Sequence, residues 1–212
     1  MATIILELER NMAKNILLIH GAWATRTCFN YIVDKLDDDH NIQYFEYDCE
    51  EEKAVDIVKR AIKECKEFTD NGQETVVIGH SLGGILAMHL ARNKRVASIV
   101  TIAAPLSGIG GFNPFMHYFL MLAAPIFSYI LPKSKFITDV KEQNYDDKNI
   151  DCIIACEGHL FAAPKVKTDG VVSVSSQEDW TPDSARVHTI HANHHEILQH
   201  EQVTEIIKKA IS

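Results

Sequence analysis

Short apolar runs rich in Ile and Val recur along the chain and alternate with amphipathic stretches, the pattern of a parallel sheet covered by helices on both faces. The runs at residues 15–20, 42–48, 75–79, 96–103, 150–156 and 187–191 predict strands. Between them, residues 27–36, 50–68 and 82–93 have helical spacing. Val55, Val58, Ile62 and Cys65 recur at three- and four-residue steps, so the second helix is expected to bury that face and leave a charged one in water. Asn71-Gly72 then ends it and turns the chain into the next strand. No internal repeat, Gly/Ser linker or low-complexity tract divides the sequence, which predicts one α/β domain over residues 1–212.

One span breaks the alternation. Between Arg95 and Lys133 there is no Asp, Glu, Lys or Arg, and residues 112–131 are strongly apolar and aromatic. The length would allow a membrane crossing. Against it, residues 96–103 read as a buried strand, Pro114 and Pro125 interrupt the rest, and Asn113 and His117 add polar groups. The favoured expectation is an apolar cap inserted at residues 108–139, formed of one or two helices broken near Pro125. A plain core or oligomer contact is the alternative.

Composition narrows the partners. With 29 acidic and 21 basic residues the chain of 212 carries a net charge of −8, and no Lys/Arg-rich stretch offers a nucleic acid its phosphate contacts. Cys28, Cys49, Cys65, Cys152 and Cys156 are odd in number and scattered, unlike a disulfide framework or paired zinc knuckles, so reduced thiols in the cytoplasm are expected. The first residues lack the basic start and long apolar core of a secretory signal. Met12 opens a stretch that reads as a natural start, which leaves the first eleven residues as an extension, a start-site choice or an added edge strand over residues 3–8.

Chemistry enters at Gly79-His80-Ser81-Leu82-Gly83-Gly84, between a predicted strand and an amphipathic helix. This is G-x-S-x-G in the strand-turn-helix setting that gives it mechanical meaning. The turn is so tight that the serine takes strained backbone angles, and the flanking glycines let strand and helix approach. The hydroxyl is thereby held out at the sheet end, beside a helix N-terminus that favours developing negative charge, which makes Ser81 the candidate nucleophile. A serine hydroxyl needs an adjacent base, and in this setting the order along the chain is Ser, then Asp or Glu, then His. His188, His191, His194, His195 and His200 satisfy that order, and the loop leaving the last strand carries His194 and His195.

With these residues the chain resembles the α/β-hydrolase family over nearly its whole length. His20-Gly21-Ala22-Trp23 is similar to the family's H-G-x-W-type oxyanion loop, which implies the amides of Ala22 and Leu82 as the two donors. The family's ending, a His followed three and four residues later by apolar residues, is matched by His194 with Ile197 and Leu198; His195 would place the polar Gln199 there. The segment opening Asp169-Gly170-Val171 and running to Ser176 is similar to the D-G-x-V-x-x-x-S ending of lipase-like and esterase-like members, which implies Asp169 as the acid. Glu157 is the main competitor, with Asp179 and Asp183 behind it. Two features depart from the family: residues 158–168 are longer than its usual strand-to-acid loop, and the chain is too short for its full eight strands.

The resemblance implies a small α/β-hydrolase fold with a mostly parallel sheet of about six strands, helices on both faces and the apolar cap. It implies hydrolysis of carboxylic esters through an acyl-enzyme, with no metal and no organic cofactor. A small hydrophobic ester is the expected substrate, with Trp23, Phe119 and Leu122 as contacts and the cap available for peripheral lipid contact. A lyase or acyltransferase on the same triad, or a non-catalytic binder of a small ligand, are the alternatives, and the oligomeric state is left open.

Overall fold

Six strands form in a computed structural model that describes residues 14–37, 39–109, 125–158 and 166–212, and each begins within one residue of its expected start. In chain order the elements are β1 (Asn15–Ile19), a 3₁₀ turn (Arg26–Phe29) running into α1 (Asn30–Val33), β2 (Asn41–Phe45), α2 (Ala54–Thr69), β3 (Thr75–His80) and α3 (Leu82–His89). There follow β4 (Val96–Ile102), α4 (Lys135–Lys141), β5 (Asn149–Ala155), α5 (Val174–Glu178), β6 (Arg186–Ile190) and α6 (Glu201–Ile211). The strands lie in the order β2-β1-β3-β4-β5-β6 and every neighbouring pair is parallel. β2 stops at Phe45, short of the expected Asp48, because its partner β1 ends at Ile19 and offers no ladder beyond that pair.

Central strands of such a sheet are buried on both sides, so alternate residues feed two cores. Leu17, Ile19, Val77, Ile99 and Cys152 pack with α2, α3 and α4 on one face. Ile16, Leu18, Val76, Ile78, Val100 and Ile153 pack with α1 and α6 on the other. At the edge, β6 leaves Val187 exposed and is tied to β5 by charge: Asp151 accepts two hydrogen bonds from Arg186, at 2.9 and 2.7 Å, and one from His188 at 2.8 Å. Burial alone would raise the Asp151 carboxyl, but those bonds outweigh it and hold it below the usual carboxylate range.

α2 differs from expectation in the face it buries. Ala54, Ile57, Ala61 and Cys65 are in the core, whereas Val55 and Ile62 are exposed. The small Ala54 and Ala61 suit the side that lies against the sheet, and Arg60, stacked at 4.6 Å over the Phe45 ring and paired with Glu52 and Glu64, sits beside that face. The end of the apolar span is core: Ile126 and Ile130 are buried with Phe136 and Ile137 of α4. The cap positions Asn113, His117, Phe119 and Leu122, the expected strand over residues 3–8 and Met12 lie outside the described residues. Among the described residues no helix is long and apolar enough to cross a membrane. All five cysteines are free, and burial pushes the thiols of Cys28, Cys65 and Cys152 up to about 11.

Candidate active site

The strand order reverses between β1 and β3. Chain leaving β1 goes one way to β2, and chain leaving β3 goes the other way to β4, so a crevice opens at the carboxyl ends of these two strands, where open α/β sheets bind ligands. The motifs at residues 20–23 and 79–84 end there. Ser81 has φ 53 and ψ −123, a conformation that side chains rarely adopt and that the surroundings must hold in place. They do so through its N–H, bonded to the Ile102 carbonyl at 2.8 Å, and its carbonyl, bonded to the Gly84 N–H at 2.9 Å. Close packing forces the two elbow glycines. A Cβ on Gly79 would lie 2.2 Å from the Gly83 carbonyl oxygen, and one on Gly83 would lie 2.1 Å from that of Ile19.

The β1 exit loop is shaped by His20. Its Nε2 faces the Tyr47 N–H at 3.4 Å and must accept, so Nδ1 carries the proton and donates to the Gly21 carbonyl at 2.7 Å. The ring stacks on Tyr47 at 4.6 Å, and the Tyr47 hydroxyl donates to the His20 carbonyl at 2.9 Å. A Cβ on Gly21 would stand 3.0 Å from Ser81 Cβ and 3.1 Å from His80 Nδ1, so the loop runs directly against the elbow. Ala22 lies in the next turn, where the Ala24 N–H reaches the Gly21 carbonyl at 3.3 Å, and Leu82 opens α3 beside Ser81. Trp23, at φ 55, is 54% exposed; its indole N–H donates to Glu50 at 2.8 Å and its ring tilts against Phe127 at 5.0 Å.

His194 sits in the loop after β6, buried, with Nδ1–H donating to Asp169 Oδ2 at 2.6 Å and its backbone N–H donating to the Asp169 carbonyl at 2.9 Å. Asp169 is fully buried at a tight turn whose closing residues, Thr168 and Ser173, pair as an antiparallel bridge. Its Oδ1 accepts from the N–H groups of Val171 and Val172, at 2.9 and 2.7 Å, and its Oδ2 also accepts from Gln177 Nε2 at 3.1 Å. Gly158 admits this turn, since a Cβ there would lie 2.1 Å from the Asp169 backbone.

His80 joins the two halves. Its Nε2–H donates to the His194 carbonyl at 2.8 Å, and burial, with the neighbouring His194 adding to it, pushes the imidazole down to about 3. The ring is therefore neutral, with Nδ1 a buried acceptor that has no partner among the described residues. His195 is exposed, its N–H bonded to Asn193, and Glu157 pairs with His191 at the surface at 3.0 Å. Gly21 and His80 are thus set against Ser81, and His80 against His194, which holds Asp169; His195 lies at the surface with its ring edge-on to His194 at 5.4 Å, and Glu157 is engaged by His191 instead. Sequence reasoning missed Tyr47 and Gln177, and no local pattern marks either: Gln177 finds its partner on β5 22 residues upstream. Among the described residues no cluster of three or more His, Cys, Asp or Glu could hold a metal.

A profile of the alpha/beta hydrolase family matches residues 16–192. The fold is similar to that of a lipase-esterase related protein from Clostridium acetobutylicum, with a TM-score of 0.62 and 14% identity over 95% of this chain and 96% of that one. A Bacillus licheniformis lipase gives 0.66 and 12%, covering 95% and 93%. A monoacylglycerol lipase from Paleococcus ferrophilus gives 0.58 and 14%, covering 94% of each chain. No curated relative matches the sequence.

Proposed function

This chain belongs to the alpha/beta hydrolase family, and from that premise we propose that it is a serine hydrolase of carboxylic esters. The observation that carries the reading is the buried 2.6 Å bond between His194 Nδ1 and Asp169, joined through the His80 ring to the neighbouring Ser81 with its strained backbone. Asp169 fixes the tautomer with its proton on Nδ1, which leaves His194 Nε2 as the base. Nε2 takes the Ser81 proton as Oγ attacks the ester carbonyl, and the carbonyl oxygen becomes an anion held by the Ala22 and Leu82 amides. Collapse of this intermediate expels the alcohol, which receives the proton from His194. Water, deprotonated by the same nitrogen, then attacks the acyl-enzyme, and Ser81 leaves with the proton restored. No step calls for a metal or an organic cofactor.

A hydrophobic acyl group is the substrate that suits this site. Trp23 stands at the crevice against Phe127, which belongs to the end of the apolar span, and each buried CH₂ of an acyl chain contributes about 0.8 kcal/mol. The lipase names of the similar structures favour the same class. The test joins a fluorophosphonate probe with p-nitrophenyl esters of increasing chain length. The expected result is labelling at Ser81 that Ser81→Ala abolishes, hydrolysis falling with it by at least about 1,000-fold, and a preference for longer acyl chains. Undiminished hydrolysis by Ser81→Ala would assign the activity to another nucleophile.

A further inference from the structure

A primary amide has one carbonyl acceptor and two N–H donors. At Gln177, buried on α5, all three are engaged. Oε1 accepts the Ala155 N–H at 2.9 Å and Nε2 donates to the Ala155 carbonyl at 3.0 Å, so the side chain pairs with this residue as a neighbouring strand would. On the β4 side no strand reaches this residue among the described ones, because the β4–β5 ladder ends at Ile102↔Ile153. The remaining N–H donates to Asp169 Oδ2 at 3.1 Å, the oxygen that also accepts from His194. A flipped amide would set its oxygen against both the Ala155 carbonyl and the carboxylate, so the partners fix the orientation.

On the triad reading given above, we propose that Gln177 is a positioning residue for the acid, hanging the Asp169 carboxylate from the end of β5 and fixing the plane it presents to His194. Oδ1 is held by two backbone N–H groups, and with those alone the carboxylate could swing about that oxygen. The Gln177 donor on Oδ2 removes the swing. Its own support is rigid: Ser176 accepts the Ser107 N–H at 2.9 Å and its hydroxyl donates to the Gly108 carbonyl at 2.5 Å, which binds α5 to the exit of β4. The other titratable groups facing the pair are His80 from β3 and His195 in the same loop, while Glu157 and His191 engage each other at the strand ends.

Two variants test this by kcat, KM and the pH profile of kcat/KM on p-nitrophenyl acetate, with Tm and Ser81 labelling by a fluorophosphonate measured alongside. Gln177→Leu is expected to lower kcat about 10- to 100-fold with KM little changed. Gln177→Glu keeps an acceptor for the Ala155 N–H and sets a second carboxyl beside Oδ2. The two share one proton, so activity should fall on a new alkaline limb as that proton leaves. If Gln177→Leu fails to fold, Gln177→Glu carries the test alone. Wild-type kcat and pH profiles in folded variants, or losses that only track Tm, would overturn the assignment while Ser81 labelling of the wild type keeps the triad reading intact. Absence of that labelling in the wild type would overturn both.

Discussion

Asp169 shows how much of the proposed triad is settled by which lone pairs are taken. Oδ1 is committed to two backbone donors and Oδ2 to two side-chain donors. In Asp169→Asn the amide oxygen keeps the Oδ1 place, so the NH₂ group faces His194 Nδ1 and Gln177 Nε2. The imidazole then carries its proton on Nε2 and cannot act as a base. We expect kcat to fall by roughly 10³ to 10⁴ with little change in KM, read by steady-state kinetics, whereas Glu157→Gln should leave both unchanged. The strained turn at Ser81 was legible in the sequence because everything that marks it lies within six residues and acts through local backbone geometry. Asp169 and His194 were legible only by likeness to a family ending, since their pairing depends on two loops meeting across the sheet end. Gln177 was not legible at all, because its partners belong to other elements.

At the scale of elements, strand positions could be read because strands buried on both faces are short apolar runs with sharp ends. The buried face of α2 could not. Stripes starting at Ala54 and at Val55 both satisfy a helical period, and packing of two alanines against the sheet decides between them. α5 was also missed, since a five-residue helix held by a Ser173 cap has too little periodicity to register. The crossing of β1, β3 and α3 carries the firmest prediction at this level. A Cβ at Gly83 would press on backbone of Ile19 and His20, which has no rotamer to yield. Gly83→Ala should therefore cost about 3 kcal/mol or more, roughly 10 °C in Tm by thermal melting. Gly72→Ala meets nothing within 4 Å and suffers only the strain of its φ of +83, so about 1 kcal/mol is expected there.

For the whole molecule, two buried neutral histidines set the response to acid. Burial pushes His80 down to about 3; burial, aided by Arg92, pushes His89 down to about 4, and His89 Nε2–H donates to the Phe136 carbonyl at 3.0 Å. In the unfolded chain both would titrate near 6.5, so below that pH the unfolded state binds protons that the native state refuses. Stability is full above about 6.5 and falls as pH drops toward 4, by about 1.4 kcal/mol per unit for each histidine. The depressed Asp151 adds to this fall only below the ordinary carboxylate range, near 4. Urea unfolding at pH 7, 6 and 5 should show the slope, and His89→Gln, which keeps a donor for Phe136 and does not titrate, should reduce it by about half.

On the proposed mechanism the base, His194, rides out of β6, which among the described residues has a strand neighbour on one side and is clamped there by Arg186 and His188 on Asp151. Ser81 and the loop after β1 grow from the interior of the sheet. Heat or denaturant that frays this margin will carry His194 away while the rest of the sheet is still intact, so the molecule has a fuse at its rim. Inactivation will run ahead of unfolding and reverse on cooling, and a tighter grip by β5 on β6 would lengthen working life without changing the chemistry.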